Sequence, residues 1–309
     1  GVSLLAIAPR MWEWNAMIRG MAAGMMAWFG VVTLGQGTVE GMEKATALTA
    51  GGFTEGIEGP ACDAMGVLYC VSFGTAPTIG RVMPDGRAEA FVTLPEGRTG
   101  NGIRFERDGR FLVADYTGHN VLRVDPRTRD VTVVAHDARM NQPNDLAMAP
   151  DGTVYASDPS WARGTGQLWR LDRQGRLHLE QEGMGTTNGI EVSPDGRRLY
   201  VNESIQRNVW VFDIGKDGRL SGKRLFRKFE DHGFDGMRCD MDGKLYITRH
   251  GKGTVVVLDL KGDVVREVDV LGKHPTNLCF GGEDRRTVYV TEAEKKRVVM
   301  FRADRAGRE

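Results

Sequence analysis

The chain has 309 residues, with 41 Lys and Arg balancing 41 Asp and Glu, so its formal net charge is zero. Balanced charge with no basic stripe argues against nucleic acid as a partner. The four cysteines, Cys62, Cys70, Cys239 and Cys279, make no CxxC pair and no zinc spacing; Cys62 and Cys239 share one position of two repeats and read as buried apolar filler.

Residues 1–43 form the first predicted segment, a leader or a cap. Within it, residues 21–35 (MAAGMMAWFGVVTLG) are uncharged and mostly apolar, with Arg19 just before them. A helix needs about 20 such residues to cross a bilayer, so no stable membrane span is expected. The run matches the apolar region of a signal peptide if translation begins at Met17, although no clear A-x-A site follows. The other reading is a helix packed on the domain or over its mouth. The expected compartment is the cytoplasm, or the periplasm or exterior if residues 17–37 act as a signal.

From residue 44 to 309 a repeat takes over. A short pattern begins at Glu58 (EGPACDAMG), Asn101 (NGIRFERDG), Asn144 (NDLAMAPDG), Asn188 (NGIEVSPDG) and Asp235 (DGMRCDMDG), with a degenerate sixth copy at Asn277 (NLCFGGEDR). The starts lie 43, 43, 44, 47 and 42 residues apart, and Gly stands eight places on in the first five. A fixed period of this size marks a repeat architecture in which each unit needs its neighbours to bury its apolar face.

Each copy reads as four strands. The opening residue leads a short apolar strand, an Asp-Gly type turn follows, and a second strand comes next (FLVADY, VYASD, LYVNES, LYITRH, VYVTEA). Asp-Gly suits a tight hairpin because Gly accepts positive φ. Third strands (HNVLRVD, GQLWRLD, RNVWVFD, GTVVVLD) and, in many copies, fourth strands complete the unit. Four antiparallel strands per 40–45 residues predict an all-β, six-bladed β-propeller. The sixth copy stops after its third strand, so residues 44–49 (KATALT) are expected to supply its outer strand and close the ring.

This register gathers Glu58, Asn101, Asn144, Asn188, Asp235 and Asn277 at one rim of the central channel. Ser72, Tyr116, Asp158, Glu203, His250 and Glu292, at the ends of the second strands, are expected there too. The ring offers carboxylates and amide carbonyls with no His or Cys, a hard-ligand set that favours Ca²⁺, with Zn²⁺, Mn²⁺ or Mg²⁺ as other divalent possibilities. Polar residues often cap strand ends. Capping does not require Glu in one blade and Asp in another, so Glu58, Asn144, Asn188 and Asp235 are read together as the metal set.

With EGP at Glu58, PND at Asn144, TNG before SPDGRRLYVNES at Asn188, and FDGMRCDMDGKLY at Asp235, the chain resembles the SMP-30/gluconolactonase/luciferin-regenerating-enzyme family from about Phe53 to Ala303. The resemblance implies a six-bladed propeller with a divalent ion, usually calcium, held directly by Glu58, Asn188 and Asp235. Asn144 matches a residue that is a ligand in some members and a substrate contact in others. Asn101 and Asn277 match no family ligand and are read as pocket lining. The implied chemistry is calcium-dependent hydrolysis of a small-molecule lactone or similar ester, with Asp235 as base or nucleophile. Asn144, Asn101, Tyr116, Trp161 and His274 are the expected substrate contacts. Sugar-lactonase members often place Arg where Gln142 stands, which weakens a polyhydroxylated sugar acid as substrate. An organophosphate hydrolase of the diisopropylfluorophosphatase type and a non-catalytic NHL-like binding propeller are the alternatives; a strictosidine-synthase-like enzyme is disfavoured because it has no use for the ring. The chain is expected to be a monomer or small homo-oligomer.

Overall fold

The structure, a computed structural model, describes residues 42–308. The expected leader lies, up to residue 41, outside the described residues. Those residues form twenty-five strands, β1–β25, and one short 3-10 turn at Trp161–Arg163, with no α-helix among them. The fold is a six-bladed β-propeller.

The inner strands of the blades are β3 (Phe53–Cys62), β7 (Gly100–Phe105), β11 (Leu146–Met148), β15 (Thr187–Val192), β19 (Met237–Cys239) and β23 (Pro275–Gly281). Apart from the two N-terminal strands β1 and β2, the strands of each sheet run outward in chain order, each antiparallel to the last. The inner three strands of a blade are covered on both faces and so read as nearly unbroken apolar runs; Phe111–Asp115 is buried along its whole length. Outer strands have one wet face, and Val131–His136 leaves Thr132, Val133 and His136 exposed.

Apolar wedges hold neighbouring blades together. Tyr69, Val71 and Ile79 of the first blade pack against Ile103, Phe111, Val113 and Leu122 of the second. Each such side chain contributes about 1.5–3 kcal/mol when fully buried. The Asp-Gly turns lie at the opposite end of the inner strands from the ring residues. There Gly109, Gly152 and Gly243 take φ of 87, 91 and 84°, the conformation that selects glycine.

The ring closes as expected. Thr46–Ala47 (β2) is the outermost strand of the sixth sheet, antiparallel to β25, Arg297–Arg302. The Val298 N–H donates to Thr49 Oγ1 at 2.9 Å. A further strand was not anticipated: β1, Glu43–Lys44, adds in parallel to β22, Val264–Asp269, as the fifth strand of the fifth blade. It covers a sheet edge that would otherwise stand open, and Arg266 fixes it through Glu43 at 2.7 Å. At the other end of the chain the Gly307 N–H donates to the Arg285 carbonyl and the Arg308 N–H to the Cys239 carbonyl.

Candidate metal centre

Inner strands break their ladders where the ring residues sit. In β7 the pairing register shifts between Gly100 and Ile103, across Asn101. In β15 it shifts between Thr187 and Ile190, across Asn188. In β23 it shifts between Pro275 and Leu278, across Asn277, and in β3 there are shifts on both sides of Glu58. Asn144 and Asp235 precede β11 and β19 outright. Such irregularities re-aim a side chain that a regular strand would point elsewhere. The freed backbone bonds to the neighbouring blade: Gly102 N–H to Asn144 O at 2.8 Å, Gly189 N–H to Asp235 O at 3.1 Å, and Gly236 N–H to Thr276 O at 2.7 Å.

All six ring residues are buried. Four of them, Glu58, Asn144, Asn188 and Asp235, each hold a buried side-chain oxygen with no hydrogen-bond partner: Glu58 Oε1, Asn144 Oδ1, Asn188 Oδ1 and Asp235 Oδ1. A buried polar atom without a partner costs about 1–3 kcal/mol, and more when charged. The remaining atoms are tethered. Glu58 Oε2 accepts from the Gly59 N–H and from Asn277 Nδ2. Asn188 Nδ2 donates to Ser204 Oγ at 3.0 Å, which turns its carbonyl oxygen the other way. Asn144 is the exception, since its Nδ2 also lacks a partner.

Both ring acids are driven toward their protonated forms. Burial and the Asp145 charge push Glu58 up to about 7, against which bonds from Gly59 and Asn277 pull. Burial, then the Glu58 charge, hold Asp235 well above the ordinary carboxylate range. Among the described residues no three His, Cys, Asp or Glu side chains converge to hold a metal. The ring has two carboxylates and makes up its donors with amide carbonyls. Four buried, unpartnered oxygens carrying two negative charges fit an oxygen-ligated divalent cation, which would reverse the upward pressure on both acids.

A second rank lies beneath, and the sequence reading did not anticipate it. Asp145 is fully buried, with Arg104 Nη1 at 3.2 Å from Oδ1 and Arg238 Nη1 at 3.1 Å from Oδ2. Asn277 Nδ2 also reaches Asp145 Oδ2, at 3.2 Å. Further along, buried Glu191 meets Arg308 at 2.7 Å. The sequence signal was available: Arg104, Glu191 and Arg238 each stand in the fourth place of a repeat whose inner strand is otherwise apolar.

The mouth is aromatic. The Tyr116 hydroxyl and Trp161 Nε1 are buried and face each other, and neither has another protein partner. Burial, then the Asp235 charge, raise the Tyr116 hydroxyl above its usual range, which puts that residue within reach of the candidate centre. Gln142 does not line the mouth as a free side chain; its Oε1 accepts the Trp161 N–H at 3.2 Å and holds the 3-10 turn. The His250 and His274 rings stack, 4.7 Å apart and 9° from parallel. Burial and the neighbouring His274 pull His250 down to about 4.

Three of the residues expected at the rim are engaged otherwise. Asp158 accepts the Asn141 and Gln142 N–H groups and the Trp169 indole. Glu203 accepts the Gly185 N–H and Asn208, and Glu292 accepts the His274 and Lys295 N–H groups. These carboxylates order loops. In the second, third, fourth and sixth blades a carboxylate (Asp115, Asp158, Glu203, Glu292) takes this part; in the second and fourth the next residue reaches the ring instead, Tyr116 beside Asp235 and Ser204 bonded to Asn188.

Residues 44–294 match the family model described as the SMP-30/Gluconolactonase/LRE-like region. A gluconolactonase of Zymomonas mobilis is 29% identical over 236 residues, covering 67% of this chain and 65% of that enzyme, just under two thirds of its length. A 6-deoxy-6-sulfogluconolactonase of Pseudomonas putida is 27% identical, covering 77% of this chain and 83% of that one. The solved structure of a calcium-binding protein, regucalcin, from Agrobacterium tumefaciens superposes with a TM-score of 0.74 at 22% identity, covering 86% of this chain and 95% of that one.

Proposed function

The chain belongs to the SMP-30/gluconolactonase/LRE-like family, and we propose that it hydrolyses a small-molecule lactone at a divalent cation, calcium first, held by Glu58, Asn144, Asn188 and Asp235. One observation carries the reading: these four residues each keep a buried oxygen that no protein group satisfies. The lactonase relatives support ring opening as the reaction, and the calcium-binding neighbour supports the ion.

A bound divalent ion supplies Lewis acidity to polarise an ester carbonyl. The chain's own groups do the rest. Asp235 is the base that takes a proton from water or the nucleophile that attacks, since its Oδ1 has no protein partner and its backbone is pinned by Gly189 and Thr248. The Tyr116 hydroxyl, held by the Trp161 indole N–H beside it, orients a substrate oxygen. Asn101 and His274 line the entrance, and the aromatic rings keep water from the ester.

The test is a panel of γ- and δ-lactones with chelator controls. Turnover is expected to vanish with EDTA and to return with CaCl₂. Lactone turnover indifferent to chelation would overturn the metal reading; phosphotriester turnover in place of lactone turnover would overturn the substrate class.

A further inference from the structure

We infer that Asp145 is a positioning residue for the metal centre, acting on Glu58 through the Asn277 amide. The inference rests on the proposed metal reading and deepens it. Asn277 Nδ2 donates to Glu58 Oε2 at 3.0 Å and to Asp145 Oδ2 at 3.2 Å, so one amide group is shared between the ligand and the deeper acid. The amide cannot turn over without loss, because its Oδ1 accepts the Leu278 N–H at 2.9 Å. Asn277 and Asp145 are fully buried, so no water competes for these bonds.

The neighbouring blades are built around this link. A Cβ on Gly236 would overlap the Asn277 amide, and a Cβ on Gly102 would overlap the Asp145 carboxylate. At this place of the repeat Gly59, Gly102, Gly189 and Gly236 leave room, and the third blade alone sends in a carboxylate. Arg104 and Arg238 clamp its two oxygens from opposite blades, and the Leu146 N–H donates to Oδ1. The Asp145 carboxylate is therefore the fixed point. It holds the amide, the amide holds Glu58 Oε2, and Glu58 Oε1 is left facing the other unpartnered oxygens. Groups that orient a metal ligand in this way typically govern affinity by about 10–100-fold without touching the ion.

The experiment is calorimetric titration of the folded, chelator-stripped protein with CaCl₂ alone. Asp145→Asn and Asn277→Ala should each weaken the dissociation constant at least about tenfold. Glu191→Gln serves as the control: it neutralises another fully buried carboxylate of the channel, at the end that meets Arg308, and should leave affinity within about twofold. Should Asp145→Asn fail to fold, Asn277→Ala decides the matter, since it cuts the link and leaves the Asp145–arginine cluster in place. Unchanged affinity in the folded variants, or an equal loss in Glu191→Gln, overturns the inference while the metal reading stands. Wild-type protein that binds no Ca²⁺, Zn²⁺, Mn²⁺ or Mg²⁺ overturns the metal reading and this inference with it.

Discussion

Burial and the Asp145 charge raise the proton affinity of Glu58, and burial and the Glu58 charge raise that of Asp235, which has a measurable consequence. Folding lifts Glu58 from 4.5 to about 7 and moves Asp235 in the same direction. In chelator-treated protein the folded state then holds protons that the unfolded chain releases. The associated stability is complete below about pH 4.5 and is lost as pH rises through about 7, on the order of 3 kcal/mol for Glu58 alone. The midpoint of thermal unfolding in EDTA should therefore fall between pH 5 and pH 8. CaCl₂ should restore it strongly at pH 8 and little at pH 5; a flat profile would mean that folding does not raise the proton affinity of Glu58. Asp235→Asn removes one of the two charges. It should raise the EDTA midpoint at pH 8 while cutting lactone turnover at least about 100-fold, and retained activity would remove Asp235 from its role. The ring residues were legible because a fixed repeat puts equivalent positions side by side. Asp145 was not, because a departure from Gly at one repeat position, like that to Leu278 in the sixth copy, says nothing of where its side chain ends.

At the scale of the element, the alternation of apolar residues and Asp-Gly turns specified strands and their order. It did not specify the ladder breaks across Asn101, Asn188 and Asn277, because those depend on hydrogen bonds to the next blade, some 43 residues away, rather than on local preference. The 3-10 turn at Trp161–Arg163 is a similar case. Gln142 reads from the sequence as a missing substrate contact, whereas the structure uses it to hold the Trp161 backbone, with Arg163 reaching back to Asn141 at 2.5 Å. Gln142→Ala should loosen the turn and raise KM for the accepted lactone several-fold with kcat nearly unchanged, because the lost interaction orients a binding group rather than a reacting one. Steady-state kinetics separate the two: a fall in kcat at constant KM would put Gln142 in the chemistry instead.

At the scale of the molecule, a propeller is only as stable as its closure, and this one is closed from both termini of the described chain. The strand Thr46–Ala47 completes the sixth blade, as the shortness of the last repeat required. The second closure was beyond sequence reasoning, because Arg308 looks like any charged residue near a terminus. In the fold its guanidinium enters the channel, with Nη2 2.7 Å from Glu191 Oε1 and 2.9 Å from the Met148 carbonyl, while the backbone ahead of it bridges to Asp240. Met148, Glu191 and Asp240 belong to the third, fourth and fifth blades, so a single side chain and its backbone join half of the ring. Removing one partner of a buried ion pair costs about 3–5 kcal/mol because the other charge stays in the interior. Arg308→Ala should accordingly lower the free energy of unfolding by on the order of 3 kcal/mol, read by urea denaturation. The loss should be smaller in a Glu191→Gln background, where the charge it answers is gone; a double-mutant cycle with no coupling would show that the ring closes without this pair.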